Sequence, residues 1–135
     1  MDTLGSQRTE TSPGFVLAVR RCFSKYVDFS GRASRSEYWW FQVMLLGVLF
    51  AYGFAGLAVG QSTVPAPQLA LLLGLVPPSI AVAVRRLHDS GMSGWWLLVS
   101  FVPLLGGIVM LVFTLLPSDE RPNRYGDPAP LGISE

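Results

Sequence analysis

An all-α fold embedded in a membrane follows from three observations on this 135-residue chain. Half of its residues are apolar and only 14% are charged, against roughly 25% in soluble domains. The apolar residues gather into three long stretches, too many for a soluble protein of this size to bury. The first stretch, residues 39–60, holds no charged side chain, and Gln42 is its one strongly polar residue. A helix of that length rises about 1.5 Å per residue and crosses a hydrocarbon core of roughly 30 Å.

Composition excludes several function classes. The length allows one small domain. A formal net charge of +1 does not point to nucleic acid. Cys22 and His88 are the sole residues of their types, which rules out an internal disulfide and a multi-histidine metal site. No cofactor motif is present. The polar start, with Asp2, Arg8 and Glu10, lacks the short apolar core of a cleaved signal peptide; residues 39–60 would themselves target the chain.

The elements follow in order. Residues 1–14 read as a disordered tail, with Ser12 and Pro13 suited to starting a helix. Residues 15–29 read as an amphipathic helix, apolar at Phe15, Val19, Cys22, Phe23 and Tyr26. Too short and charged to span, it either lies in the interface or packs on the rest of the protein. Ser30 and Gly31 turn the chain. Ser34 and Glu37 form a capping-box pattern ahead of Tyr38, Trp39 and Trp40, which suit the headgroup zone. After the uncharged connection 61–68, a second span is expected over 69–84, with Pro77 and Pro78 inside it and Arg85 and Arg86 snorkelling at its end. Gly91 stops that helix. A third span is expected over 95–116, broken by Pro103 and ended by Pro117. The polar tail that follows lacks regular structure, and residues 129–135 read as disordered. The membrane domain thus covers 15–128: an N-terminal amphipathic interfacial helix and three transmembrane helices.

Charge gives an orientation. Arg20, Arg21, Lys25, Arg32, Arg35, Arg85 and Arg86 fall on one side of three spans, and Arg121 and Arg124 on the other. The positive-inside rule then puts the N-terminus in the cytoplasm and the C-terminus outside.

Two polar clusters flank the spans: GRASRSE at 31–37 and RRLHDS at 85–90. Because spans one and two form an antiparallel hairpin, these clusters lie at one membrane face. Arg32, Arg35, Glu37, Arg85, Arg86, His88 and Asp89 are therefore the candidate site. The first reading is an inter-helix ion-pair network; the second is an anionic-lipid headgroup site, since guanidinium binds phosphate bidentately. A catalytic reading of His88 with Asp89 is weak, because neighbours on a helix point about 100° apart and no nucleophile motif accompanies them. Pro77 and Pro78 cannot donate to the carbonyls of Leu73 and Gly74, and Pro103 leaves that of Val99 without its helical donor. Broken helices of this kind serve some transporters, although a kink is the ordinary reading. Gly47, Ala51 and Ala55, with Gly56 and Gly60, form a ridge suited to close helix packing, against another span or a second copy.

KYVDFSGRASRSEYWWF (25–41), RRLHDSGMSGWW (85–96), the stretch 103–107 and NRYGDP (123–128) together resemble the bacterial domain-of-unknown-function 805 family of small inner-membrane proteins. The resemblance runs from about residue 15 to 128. It implies a bacterial plasma membrane and a helical multi-span fold, and brings no activity with it. SDERP at 118–122 is more charged than that pattern leads one to expect. The leading functional expectation is a non-enzymatic membrane protein that scaffolds or regulates a partner, possessing anionic-lipid contact. A small transporter or transporter subunit comes second, and a membrane enzyme third. The expected partners are the lipid bilayer, a second copy or another membrane protein, and no nucleic acid.

Overall fold

The computed structural model describes residues 14–60 and 66–129. All but one residue of each expected tail (1–14 and 129–135), the Ser12–Pro13 helix start and most of the 61–68 connection lie outside them. All regular elements among the described residues are helical: α1 (Phe15–Ser24), α2 (Arg35–Val59), α3 (Ala66–Asp89), a 3-10 helix (Gly94–Phe101) and α4 (Leu105–Leu115).

Helix α1 is shorter than the expected 15–29 and packs chiefly on the first turns of α2. Ala18 and Cys22 face that contact and are fully buried. Phe15 meets Trp40 and Phe23 meets Phe41, both edge-on. Cys22, Ala33, Phe41 and Val82 form the apolar core where α1, α2 and α3 converge.

Helix α2 begins where Ser34 accepts the Glu37 N–H at 3.2 Å, one half of the expected capping box. The other half is replaced, because the Glu37 carboxylate turns to Arg85. Gly60, at φ 70°, closes the helix in the left-handed conformation that glycine adopts without a Cβ penalty. Helices α2 and α3 have 25 and 24 residues and are the two that are long and apolar enough to cross a membrane. Beyond its first turns α2 is almost bare: Leu46, Phe50, Phe54 and Leu57 are largely exposed. In water so much uncovered apolar surface would be unfavourable; in lipid it is the ordinary condition.

Helix α3 runs through Pro77 and Pro78 without stopping. The carbonyl of Gly74, which Pro78 cannot serve, accepts the hydroxyl of Tyr26. Tertiary contact therefore supplies the donor that the sequence removes. The helix also continues past the expected 84 to Asp89, so Arg85 and Arg86 do not snorkel but are enclosed. It ends in a Schellman motif: Met92 N–H reaches Leu87 O and Gly91 N–H reaches His88 O, both at 3.0 Å, with Gly91 at φ 75°.

The expected span over 95–116 is not one helix. Trp96 and Phe113 would stand about 25 Å apart along a continuous helix, yet their rings pack edge-on at 5.5 Å. The 3-10 helix and α4 are folded onto each other. Pro103 contributes to the break, and Leu104 completes it with a γ-turn at φ 64°, Leu105 N–H donating to Pro103 O at 2.7 Å. Gly106 makes the fold-back possible: a Cβ there would lie 2.2 Å from Val99 O. The Val99 carbonyl expected to lack a donor accepts the Val102 N–H instead.

This hairpin returns the chain to its starting level. Asp119 N–H donates to Asp89 O at 2.9 Å, so the segment after α4 rests against the end of α3 and the start of α2. The expectation that the C-terminal segment emerges opposite the N-terminal one is overturned by these contacts.

Candidate functional site

The site is the end of the bundle where the start of α2, the end of α3 and the segment 117–126 meet. It is anchored by backbone: Ala33 N–H donates to Arg85 O at 3.0 Å, fixing the two polar clusters against each other. Five charged side chains then close over this joint, and Glu37, Arg85, Arg86, Asp89 and Arg32 are each at most 4% exposed.

Asp89 is the hub. Its Oδ1 accepts from Arg32 Nε at 2.9 Å and its Oδ2 from Arg86 Nη1 at 2.7 Å. Both arginines also reach backbone carbonyls that no residue identity predicts. Arg32 donates to Arg121 O at 2.9 Å, to Asp89 O at 3.1 Å and to Asp119 O. Arg86 donates to Thr114 O at 3.1 Å and to Leu116 O, at the end of α4. The charged SDERP stretch is thus held largely through its backbone by Arg32.

Arg85 is different. Its Nη1 meets Glu37 Oε1 at 2.7 Å, while its Nε and Nη2 are buried with no partner among the described residues. The Cys22 thiol lies 3.9 Å from the same Glu37 oxygen. Burial first, and the Glu37 charge second, push that thiol up to about 12, which makes it unreactive. Three buried arginines face two buried carboxylates, an arrangement held by geometry rather than by charge neutrality.

His88 and Asp89 do not pair. Asp89 turns to the arginines, whereas His88 places Nδ1 3.2 Å from Gly31 O and lies flat on Tyr125, centroids 3.8 Å apart at 4°. Asn123 Nδ2 donates to the His88 carbonyl at 3.0 Å. A cleft of about 610 Å³ opens beside this stacked pair. Arg35 stands outside the node and is exposed. The ridge of Gly47, Ala51, Ala55, Gly56 and Gly60 does not pack against other elements among the described residues; a Cβ on Gly47, Gly56 or Gly60 would meet nothing within 4 Å there. The sequence pointed to the charged members of the node but missed Thr114, Leu116, Asn123 and Tyr125. NRYGDP alone carried a signal for the last two.

Two long apolar helices, the first almost bare, rising from a compact charged end define an integral membrane protein of helical type. A family described as a protein of unknown function (DUF805) matches residues 26–127, and the chain belongs to that family. It is 40% identical over 107 residues to the inner membrane protein YhaI of Escherichia coli (strain K12), covering 79% of this chain and 90% of that one. It is 34% identical over 109 residues to the inner membrane protein YhaH of the same organism, covering 78% and 90%. An uncharacterized E. coli protein, YiiR, is 34% identical over 88 residues, covering 62% of this chain and 58% of its own length. No solved structure matches. The chain is a multi-pass protein of the bacterial inner membrane, and the names of these relatives carry no enzymatic activity.

Proposed function

We propose that this is a non-enzymatic inner-membrane protein that scaffolds or regulates a partner within the bilayer and contacts anionic lipid at its charged end. One observation carries this reading. The carboxylates that acid–base chemistry would require are enclosed in ion pairs, while what stays open is the apolar length of α2 and a set of exposed cations. Arg20, Arg35, Arg121 and Arg124 are all exposed, and each cation near an anionic surface contributes on the order of 1 kcal/mol. The lipid contact passes to these residues, because Arg32, Arg85 and Arg86 are enclosed.

The same geometry supports two membrane passes, α2 and α3, with the 3-10 helix and α4 entering the bilayer from the charged side and returning. Irregular backbone at depth is tolerated where protein covers it. Every described Lys and Arg then belongs to segments at one end, and the 61–68 connection holds none. The positive-inside rule places that end, with both flanks of the chain, in the cytoplasm. The transporter alternative draws on the broken hairpin and on α3, but the Gly74 carbonyl that would be open to an ion already accepts Tyr26.

Purification from native membranes in mild detergent, identifying retained lipid and protein together, tests the proposal. It expects enriched anionic lipid and a stoichiometric membrane partner or second copy. A lone protein without lipid preference would overturn it.

A further inference from the structure

Three of the sequence blocks singled out above converge on the cleft beside His88. Phe29 comes from the first block, His88 and Trp95 from the second and Tyr125 from NRYGDP, with Val84, Leu97 and Leu98 completing the wall. Separate segments are brought together to make it. The 3-10 helix closes on α3 through Gly94, where a Cβ would stand 2.8 Å from Val84 Cγ1 and 3.4 Å from His88 Nε2. A volume of about 610 Å³ lies within the roughly 300–1,000 Å³ of small-molecule sites.

The walls are apolar and no acidic side chain lines them. A cation stands beside them. His88 covers one face of the Tyr125 ring, and the guanidinium of Arg124 sits 4.7 Å from the same ring's centroid. Sterics place it on the opposite face, one ring away from the cleft and exposed. Trp95, largely exposed on the wall, is the residue type that settles at headgroup depth.

We infer that this cleft is a binding site for an anionic phospholipid, an acyl chain lying along Val84, Leu97 and Leu98 and the headgroup phosphate on Arg124. The inference rests on the anionic-lipid contact proposed above and assigns it a place. The His88–Tyr125–Arg124 stack is the hinge of the site: it holds the cation at the mouth while presenting ring surface inward.

The test uses the full chain in nanodiscs of equal parts phosphatidylglycerol and phosphatidylcholine, extracted into mild detergent and weighed by native mass spectrometry. The parent retains phosphatidylglycerol preferentially. Arg124→Ala lowers that retention about fivefold, the effect of one cation at an anionic surface. Leu98→Trp, which fills the apolar wall, removes the preference. Arg20→Ala, at an exposed cation outside the cleft, lowers it by much less, since that cation has no adjoining cleft to retain a lipid. A melting temperature accompanies each variant, and should Leu98→Trp not fold, the comparison of Arg124→Ala with Arg20→Ala decides alone. Equal losses in those two overturn the cleft while the broader lipid contact stands. A parent without preference for phosphatidylglycerol overturns both.

Discussion

Replacing Glu37 by Leu removes the carboxylate that pairs with the buried Arg85 guanidinium. Its Nη1 donates to Glu37 Oε1 at 2.7 Å, and the other two guanidinium nitrogens have no hydrogen-bond partner among the described residues. Asp89 accepts from two arginines, but both keep backbone carbonyls when it is lost. The Glu37–Arg85 pair is therefore the sharper place to cut. Removing one partner of a buried pair costs about 3–5 kcal/mol, because the remaining charge is uncompensated, whereas replacing both by apolar groups is often close to neutral. Glu37→Leu and Arg85→Met should each lower stability by about 3–5 kcal/mol, and the double variant should stay within about 2 kcal/mol of the parent. The Ala33–Arg85 backbone bond survives in all three, so the helices keep their register. Unfolding in mixed micelles, followed by tryptophan fluorescence, measures the cycle, with Glu120→Ala at an exposed position as the reference. A double variant that falls by the sum of the two single losses would mean the pair is not coupled, and the reasoning about the node would be refuted.

Other consequences are open to direct measurement. Reporter fusions after residue 129 and in the 61–65 connection should report opposite sides, the first cytoplasmic; an external reading for the first would restore a three-pass topology. Gly106→Ala should destabilise by about 1–3 kcal/mol, since its Cβ would press on the Val99 carbonyl; an unchanged melting temperature would argue against the fold-back. Tyr26→Phe should cost about 1–3 kcal/mol by leaving the Gly74 carbonyl without a donor, checked by the same micellar unfolding. Cys22, with its thiol pushed up to about 12, should react with a maleimide about a thousandfold more slowly in the folded protein than in the unfolded chain at pH 8; comparable rates would place it outside the core.

How much of this was legible depends on the range of the interaction. The two polar clusters could be set at one end because a hairpin of spans brings the start of one beside the finish of the next. The capping role of Ser34 and the stop at Gly91 are local and were readable. The partner of Glu37 was not: a capping box and an ion pair use the same carboxylate, and burial beside Arg85 decided the competition. Pro103 marked a weak point in the third apolar stretch, yet a kinked helix and a fold-back share that mark. Gly106 and the positive φ of Leu104 distinguish them only once the chain is folded. The tail was hidden for another reason. Arg32 and Arg86 grip it largely by carbonyl oxygens, which every residue has, so its side chains gave little warning. The small-residue ridge on α2 shows the converse case, a clear pattern with no neighbour among the described residues.

That grip by carbonyls has a consequence for how the protein is made. Synthesis delivers Arg32 early and the carbonyls of Thr114, Leu116, Asp119 and Arg121 only after both long helices. Until those later segments have emerged, two arginines at the base of the helical pair lack the backbone acceptors that complete them. The insertion machinery therefore handles a hairpin that is already membrane-bound but not yet locked. Closure waits for the segment that follows α4, and quality control that senses an open, charged base would act within that interval.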